Sequence, residues 1–119
     1  MDPNHLAARL RTFAQDRDWE QFHTPKNLAM ALSVEAAELL ELFQWLTPEQ
    51  SYTVTTIPAE AERVREELAD ILLYLVRLAD ILGVDLDAAV EAKLAVNARK
   101  YPVEVSRGIA TKASRRADG

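Results

Sequence analysis

Apolar residues near the N-terminus recur at intervals of three and four positions, which is the spacing of one helix face. This apolar stripe consists of Leu6, Leu10 and Phe13. The stripe predicts a first helix over about residues 3–17. An aromatic-rich connection over residues 16–23 follows this helix and contains Trp19, Phe22 and His23.

Prolines set the limits of the second predicted helix. Thr24 followed by Pro25 is a start signal, because a hydroxyl side chain can cap a helix and proline fits its first position. The helix is predicted to continue to about residue 46, since Pro48 disfavours helical geometry in the residue before it. Residues 47–57 are mainly polar or β-branched and are predicted to form a loop.

Two further helices are predicted in the second half of the chain. The third begins just before Pro58 and ends near Gly83, because glycine readily adopts the left-handed conformation at a helix C-terminus. The fourth is capped by Asp85 and runs to about Lys100. The connections between these helices are short, so neighbouring helices are expected to run in opposite directions.

This pattern predicts an all-α fold, an antiparallel four-helix bundle. The second and third helices are apolar over more than one face, so we expect them to be buried on several sides. In a chain of 119 residues, such burial indicates that another subunit completes the bundle. We expect one helical domain over residues 1–102 and a polar, basic, partly irregular tail over residues 103–119.

The composition argues against several classes of protein. The formal net charge of −5 disfavours a nucleic-acid-binding surface, and no apolar run approaches the roughly 18 residues of a membrane helix. With only three glycines, the chain cannot assemble a glycine-rich phosphate-binding loop. The N-terminus lacks the pattern of a secretory signal and there are no cysteines, so we expect a cytoplasmic protein. Phosphate chemistry in this chain would depend on a metal ion and on side chains.

The second and third helices each carry two carboxylates that are three residues apart. Glu35 and Glu38 form one pair, and Glu67 and Asp70 form the other. Residues at this spacing share one helix face, so antiparallel packing can bring all four carboxylates together. Such a cluster repels itself unless a cation is bound, and oxygen ligands without histidine or cysteine favour Mg²⁺ or Mn²⁺ over zinc. On the residues alone, a solvated acidic helix face explains the pattern about equally well.

Several segments, in the same order along the chain, resemble one known family. The two acidic pairs resemble the E-x-x-E and E-x-x-D metal motifs of the all-α nucleoside triphosphate pyrophosphohydrolases, which include MazG-like proteins and dimeric dUTPases. The resemblance covers about residues 10–112 and is closer to the dCTP pyrophosphatase branch. The segments that resemble this branch are Asp16–His23 (DRDWEQFH), Glu41–Trp45 (ELFQW), Lys93-x-x-x-Asn97, Tyr101–Val103 (YPV) and Ser106–Gly108 (SRG).

The resemblance implies a MazG-like oligomer, either a homotetramer built from dimers or a homodimer, that requires Mg²⁺, with Mn²⁺ as an alternative ion. It implies that four carboxylates hold the metal, namely Glu35, Glu38, Glu67 and Asp70. It also implies that the nucleoside pocket is lined or closed by Trp19, His23, Trp45 and Tyr74. Lys93 and Asn97 are expected to reach the phosphates or the sugar, Tyr101 is expected to bind substrate, and either Arg99 or Lys100 would contact a phosphate.

The reaction implied by the resemblance is cleavage of dCTP, or of a modified deoxycytidine triphosphate, to the monophosphate and pyrophosphate. It would remove unwanted nucleotides from the cellular pool. Glu38 is our expected general base for the water that attacks the α-phosphorus. Two alternatives stay open. One is the same chemistry on another nucleotide, such as dUTP or a noncanonical purine triphosphate, and the other is a non-enzymatic helical module that binds proteins. The expected partner is a small-molecule nucleoside triphosphate, with neither nucleic acid nor membrane.

Overall fold

The computed structural model describes residues 1–115, and within this range the chain contains helices, turns and irregular connections but no β-strand. It divides into two compact units, Met1–Val84 and a second unit that begins at Asp85. The α-helices of the described range are α1 Pro3–Asp16, α2 Pro25–Glu41, α3 Pro48–Ser51, α4 Pro58–Leu82, α5 Leu86–Lys100 and α6 Val103–Ser106. Short 3₁₀ turns cover Glu20–Phe22, Val54–Thr56 and Ala113–Arg115. The predicted all-α class is confirmed, and no helix of the described residues is long and apolar enough to cross a membrane.

Local sequence chemistry sets most helix ends. The hydroxyl of Thr24 accepts a hydrogen bond from a backbone N–H in the first turn of α2, and the carboxylate of Asp85 does the same for α5. Both caps are as predicted. α4 ends at Leu82, and its C-cap Gly83 has a φ of 69°, in the left-handed region, which confirms the predicted C-terminus. The carboxylate of Asp2 caps α1 in the same way.

The predicted end of α2 is wrong. α2 ends at Glu41 rather than near residue 46, because the backbone beyond it tightens into turns whose N–H groups donate to carbonyls three residues back. Leu42 is buried at this point against Val54 and Val64. The end of α2 therefore coincides with tertiary packing of Leu42. Pro48 sets only the furthest point to which α2 could extend.

The predicted loop over residues 47–57 is also more regular than expected. It contains α3, which begins with a capping box. The Thr47 hydroxyl accepts a hydrogen bond from the backbone N–H of Gln50, and the side-chain oxygen of Gln50 accepts one from the backbone N–H of Thr47. A 3₁₀ turn, Val54–Thr56, follows before α4. The sequence does contain the start signals of α3, namely Thr47, Pro48 and Gln50. The helix was not predicted because it is only one turn long.

α2 and α4 form the most extensive helix pair of the first unit. His23, just before α2, accepts a hydrogen bond from Arg77 near the end of α4. Leu42, just after α2, packs against Val64 in the first third of α4. The two helices therefore run antiparallel, as predicted, and α1 packs against α4 as well.

The first unit buries few large side chains. Leu28 is its most deeply buried large residue, and the other buried apolar residues are Ala14, Leu42, Val54, Ala61, Val64, Val76 and Ala79. Several aliphatic side chains on the two central helices are exposed instead. They include Met30, Val34 and Leu40 on α2 and Leu68, Leu75 and Leu82 on α4. Both helices therefore have apolar faces that this single chain does not cover.

The second unit contains α5, α6 and the segment that follows them. The Tyr101 hydroxyl accepts a hydrogen bond from the backbone N–H of Ala113 at 3.2 Å, which joins the end of α5 to the C-terminal segment. The expected irregular tail thus includes α6 and a 3₁₀ turn, while its last four positions, 116–119, lie outside the described residues. The domain limit at residue 102 stays a prediction.

Candidate metal and nucleotide site

Three of the predicted carboxylate ligands meet where α2 faces α4. Glu35 and Glu38 lie one turn apart on α2, and Glu67 lies on α4. One carboxylate oxygen from each residue lies within 4.8 Å of those from the other two. Because metal–oxygen distances in magnesium and calcium sites are about 2.0–2.6 Å, oxygens at this separation can bind one cation.

Two oxygens of the carboxylate cluster are left without a hydrogen bond from any described residue. Glu35 Oε2 and Glu67 Oε2 are buried, and neither has a hydrogen-bond partner among the described residues. Interaction with the adjacent Glu67 carboxyl raises the pKa of Glu35 to about 7, and burial and the neighbouring Glu38 contribute further. The cluster therefore holds a proton near neutral pH or binds a cation, because three ionised carboxylates at this distance repel one another.

Asp70, the fourth predicted ligand, lies outside this group of three oxygens. It follows Glu67 by one turn of α4 and lines a cavity of about 170 Å³. Apolar side chains form much of the cavity wall, namely Leu10, Leu28 and Leu73. The aromatic, polar and charged residues that line it are Phe13, Trp19, His23, Asp70, Tyr74 and Arg77. Three residues predicted for the nucleoside pocket are therefore brought together here.

The connection between α1 and α2 places Trp19 at this cavity. Its backbone N–H donates to the carbonyl of Ala14 at 2.9 Å, and Ala14 is fully buried. Asp18 makes the turn with a φ of 54°, a conformation that aspartate tolerates better than most residues. The indole packs edge-to-face against Phe13 at 5.8 Å and lies 6.4 Å from the ring of His23. Trp19 is thus fixed by backbone and aromatic contacts before any ligand binds.

Arg77 is a site residue that sequence reasoning missed. It is only 6% exposed, and its Nε donates to His23 Nδ1 at 3.2 Å. Its Nη1 lies 3.4 Å from Asp80, which also forms an ion pair with Arg11 at 2.8 Å. The only available signal was an arginine interrupting an apolar helix directly after residues 71–76.

Trp45 is not among the residues that line the cavity. It lies in the turn after α2, and its side chain is 86% exposed. Trp19, His23 and Tyr74 are therefore together in this chain, and Trp45 is separate from them.

The residues of the second unit that were predicted to bind substrate share a different cavity of about 580 Å³. Lys93 and Asn97 line it from α5, and Tyr101 lines it from the end of that helix. Among the described residues, Lys100, Lys112, Ala113 and Ser114 also line it. Lys100 lines this cavity and Arg99 does not. Three lysines around one cavity make this a locally basic site in a chain of net charge −5.

Comparison with known proteins identifies the family. The model of the MazG-like family matches residues 30–115, well over half of the chain. The chain belongs to the MazG-like family. The resemblance seen in the sequence is therefore confirmed.

Two named relatives of this MazG-like chain are dCTP pyrophosphatases. It is 52% identical to bovine and 47% identical to human dCTP pyrophosphatase 1 over 100 residues, which cover 84% of this chain and 59% of each relative. The chain thus spans about three fifths of the length of these relatives. A crystal structure of a pyrophosphatase from Archaeoglobus fulgidus matches with 42% identity and a TM-score of 0.77, over 83% of this chain and 91% of that one.

One stripe of α4 connects the carboxylate cluster to the aromatic cavity in this MazG-like chain. Glu67, Asp70, Tyr74 and Arg77 follow one another at intervals of three and four residues, so they share one helix face. The stripe begins in the carboxylate cluster and continues along the aromatic cavity. The arrangement can hold a cation at one end and a flat ring at the other.

Proposed function

We propose that this chain is a nucleoside triphosphate pyrophosphohydrolase that cleaves dCTP, or a modified deoxycytidine triphosphate, to the monophosphate and pyrophosphate. The observation that carries the proposal is the α4 stripe, which joins a carboxylate cluster suited to a cation–phosphate complex to a cavity suited to a base. The choice of cytosine rests on the similarity to dCTP pyrophosphatase 1 of cattle and human. Removal of unwanted nucleotides from the pool is the corresponding biological role.

Mg²⁺ is the proposed ion, with Mn²⁺ as an alternative. The buried, partnerless oxygens of Glu35 and Glu67 support this choice, because a cation would satisfy both. The cluster offers carboxylate oxygens and no nitrogen or sulfur ligand, which suits a hard divalent cation. Glu38 is the third proposed ligand and Asp70 the fourth. When bound, such an ion offsets the charge of the triphosphate and makes water a better nucleophile.

Glu38 is the proposed general base. Each carboxylate needs to contribute only one oxygen to the cluster, so the second oxygen of Glu38 is available to a proton. Water attacks the α-phosphorus, the bond to the leaving pyrophosphate breaks, and the proton of the water passes to Glu38. No covalent intermediate is required, so positioning and charge stabilisation supply the catalysis.

The aromatic cavity is the proposed nucleoside pocket. Trp19 offers a flat face to the base, and stacking of this kind contributes about 1–3 kcal/mol per base in nucleic-acid-binding proteins. Tyr74 and His23 add polar groups that can distinguish one base from another. Trp45 is proposed to complete the pocket in the oligomer, because such an exposed tryptophan is poorly accounted for in the single chain.

The basic cavity of the second unit is proposed to bind phosphate groups. Lys93 and Asn97 were expected to reach the phosphates or the sugar, and Lys112 joins them from the C-terminal segment. Tyr101 is proposed to act there as well, and Lys100 rather than Arg99 is the further phosphate contact. Lysine ammonium groups are effective partners for phosphate oxygens because each acts as a compact positive charge.

A homotetramer built from dimers, or a homodimer, is the proposed assembly, and it would complete the four-helix bundle. Leu68, Leu75 and Leu82 are 52%, 40% and 56% exposed and follow one another at intervals of seven residues on α4. Seven-residue spacing places them on one face, as in helices that pack against a partner helix. Contiguous apolar surface of this kind marks interaction sites in soluble chains.

Ligand-dependent stabilisation separates the enzyme from the remaining alternatives. The unfolding temperature should rise with Mg²⁺ plus a non-hydrolysable dCTP analogue, since a ligand at 100 times its Kd stabilises the folded state by about 2.7 kcal/mol. Larger stabilisation by analogues of dUTP or a purine triphosphate would keep the chemistry and change the substrate. A helical module that only binds proteins would show no shift with any nucleotide.

A further inference from the structure

We propose that Arg77 is a positioning residue that holds His23 in one neutral tautomer, the Nε2–H form, and so makes it a hydrogen-bond donor to a pyrimidine carbonyl in the aromatic cavity. The tautomer is a property of the chain alone, whereas the pyrimidine ligand rests on the proposed function.

The hydrogen bond between the two side chains determines where the imidazole proton lies. Arg77 Nε donates to His23 Nδ1 at 3.2 Å. A guanidinium has donors and no acceptor, so the ring nitrogen that faces it has to be unprotonated. The single proton of the neutral imidazole is then on Nε2. Burial, together with the positive charge of Arg77, lowers the pKa of His23, which further favours the neutral ring.

Arg77 is itself buried and paired with Asp80. Its side chain is nearly inaccessible, and its Nη1 lies 3.4 Å from Asp80 Oδ2. Asp80 in turn accepts two hydrogen bonds from Arg11 of α1, at 2.8 and 3.1 Å. The Arg11–Asp80 pairing is bidentate, whereas Arg77 meets Asp80 through one longer contact. A chain of polar contacts therefore runs from α1 through α4 to the ring of His23.

This tautomer gives the aromatic cavity one defined hydrogen-bond donor, the Nε2–H of His23. His23 lines the cavity beside Trp19, and with Nδ1 occupied by Arg77 its remaining polar atom is the Nε2–H donor. A pyrimidine presents carbonyl oxygens on its edge, which can accept from such a donor. A base edge that placed a donor there would leave two donors facing each other, which a partly buried site disfavours.

A purely structural role for Arg77 is the competing explanation, because its ion pair with Asp80 also helps to join α1 to α4. The Arg77→Met variant removes the donor to His23 and leaves Asp80 paired with Arg11. The Arg11→Met variant is the matched control, because it weakens the same ion-pair chain and leaves the bond between Arg77 and His23 in place.

Nitrogen-15 NMR of histidine-labelled wild-type protein tests the tautomer without any ligand, metal or variant. The chain has two histidines, so exposed His5 serves as an internal reference. We expect His23 to be almost entirely in the Nε2–H form at neutral pH, and Arg77→Met to convert it to a mixture while His5 is unchanged. A wild-type His23 that is protonated on Nδ1, or a spectrum that Arg77→Met does not alter, overturns the proposal.

A double-mutant cycle tests whether Arg77 acts through His23. Arg77→Met should raise KM for dCTP about three- to tenfold with little change in kcat, the loss expected for one hydrogen bond. In a His23→Gln background, Arg77→Met should have little further effect on KM. Arg11→Met should have little effect on KM with either His23 or Gln at position 23. Equal effects of Arg77→Met in both backgrounds would overturn the proposal. Failure of wild-type protein to cleave dCTP, with the expected NMR result, would refute the proposed substrate and leave the tautomer assignment standing.

Discussion

Glu35 and Glu67 face each other from antiparallel helices, and each has a buried carboxylate oxygen with no hydrogen-bond partner among the described residues. A third carboxylate, that of Glu38, lies within 4.8 Å of the other two. Leaving such groups unpaired is costly in a partly dry site, so their presence where α2 faces α4 requires an explanation. The proposed divalent cation provides one.

Replacement of the proposed general base tests the chemistry of the cluster. Glu38→Gln keeps the shape of the side chain and removes its basicity, so kcat for pyrophosphate release should fall by about 10²–10⁴-fold with an unchanged helical circular dichroism spectrum. Glu41→Gln, one turn further along α2 and exposed, is the matched control and should retain activity. Near-normal turnover by Glu38→Gln would refute the assignment.

The pH dependence of stability should report Glu35. Its pKa is about 7 in the folded chain against an ordinary value of 4.5, so between these values the folded state holds a proton that the unfolded state has released. The free energy of unfolding of the metal-free protein should therefore fall as the pH rises through this range.

Comparison with Glu35→Gln isolates this contribution, because glutamine stays neutral at every pH. The unfolding free energy of the wild type minus that of the variant, measured with urea, should decrease from pH 4.5 to about 7. Saturating Mg²⁺ should abolish the trend in the wild type, since the cation replaces the proton. A difference that does not vary with pH would show that Glu35 titrates normally.

Helix starts, the end of α4 and the acidic pairs were predictable because each depends on residues close together in the sequence. Thr24 and Pro25, the glycine at position 83 and the three-residue carboxylate spacing all act within one or two helical turns. The end of α2 was not predictable in this way, because Leu42 packs against residues that follow it by more than ten positions.

The parts of the site that were missed depend on contacts between distant segments. Arg77 meets His23, which is 54 positions away, and nothing near either residue indicates the pairing. The separation of Asp70 from the other three carboxylates depends on how α4 is rotated against α2, which spacing along one helix does not determine. Spacing predicted which residues share a face, and packing decided which of them meet.

The two tryptophans should respond differently to substitution. Trp45→Ala should leave the free energy of unfolding within about 0.5 kcal/mol of wild type because the side chain is exposed, while raising KM for the nucleotide. Trp19→Ala should lower stability as well, since it removes the contacts with Phe13 and His23. Urea unfolding and initial-rate kinetics separate the two effects, and a Trp45→Ala variant with unchanged KM would remove Trp45 from the proposed pocket.

The exposed leucine stripe of α4 should control assembly. Leu75→Lys places a charge in the centre of the stripe, so the mass measured by light scattering after size-exclusion chromatography should fall to that of a smaller species. Arg65→Lys, at an exposed position on the same helix, is the conservative control and should leave the mass unchanged. A wild-type chain that is already monomeric would contradict the proposed oligomer.

Analysis of the cleavage products decides whether the protein is a nucleoside triphosphate pyrophosphohydrolase. Purified protein is incubated with dCTP, a 5-substituted dCTP, dUTP and the other (d)NTPs, with Mg²⁺ or with EDTA, and phosphorus-31 NMR identifies the products. We expect monophosphate and pyrophosphate in equal amounts, formed fastest from dCTP or its 5-substituted form and not formed in EDTA. Absence of metal-dependent pyrophosphate from every nucleotide would contradict the proposed function.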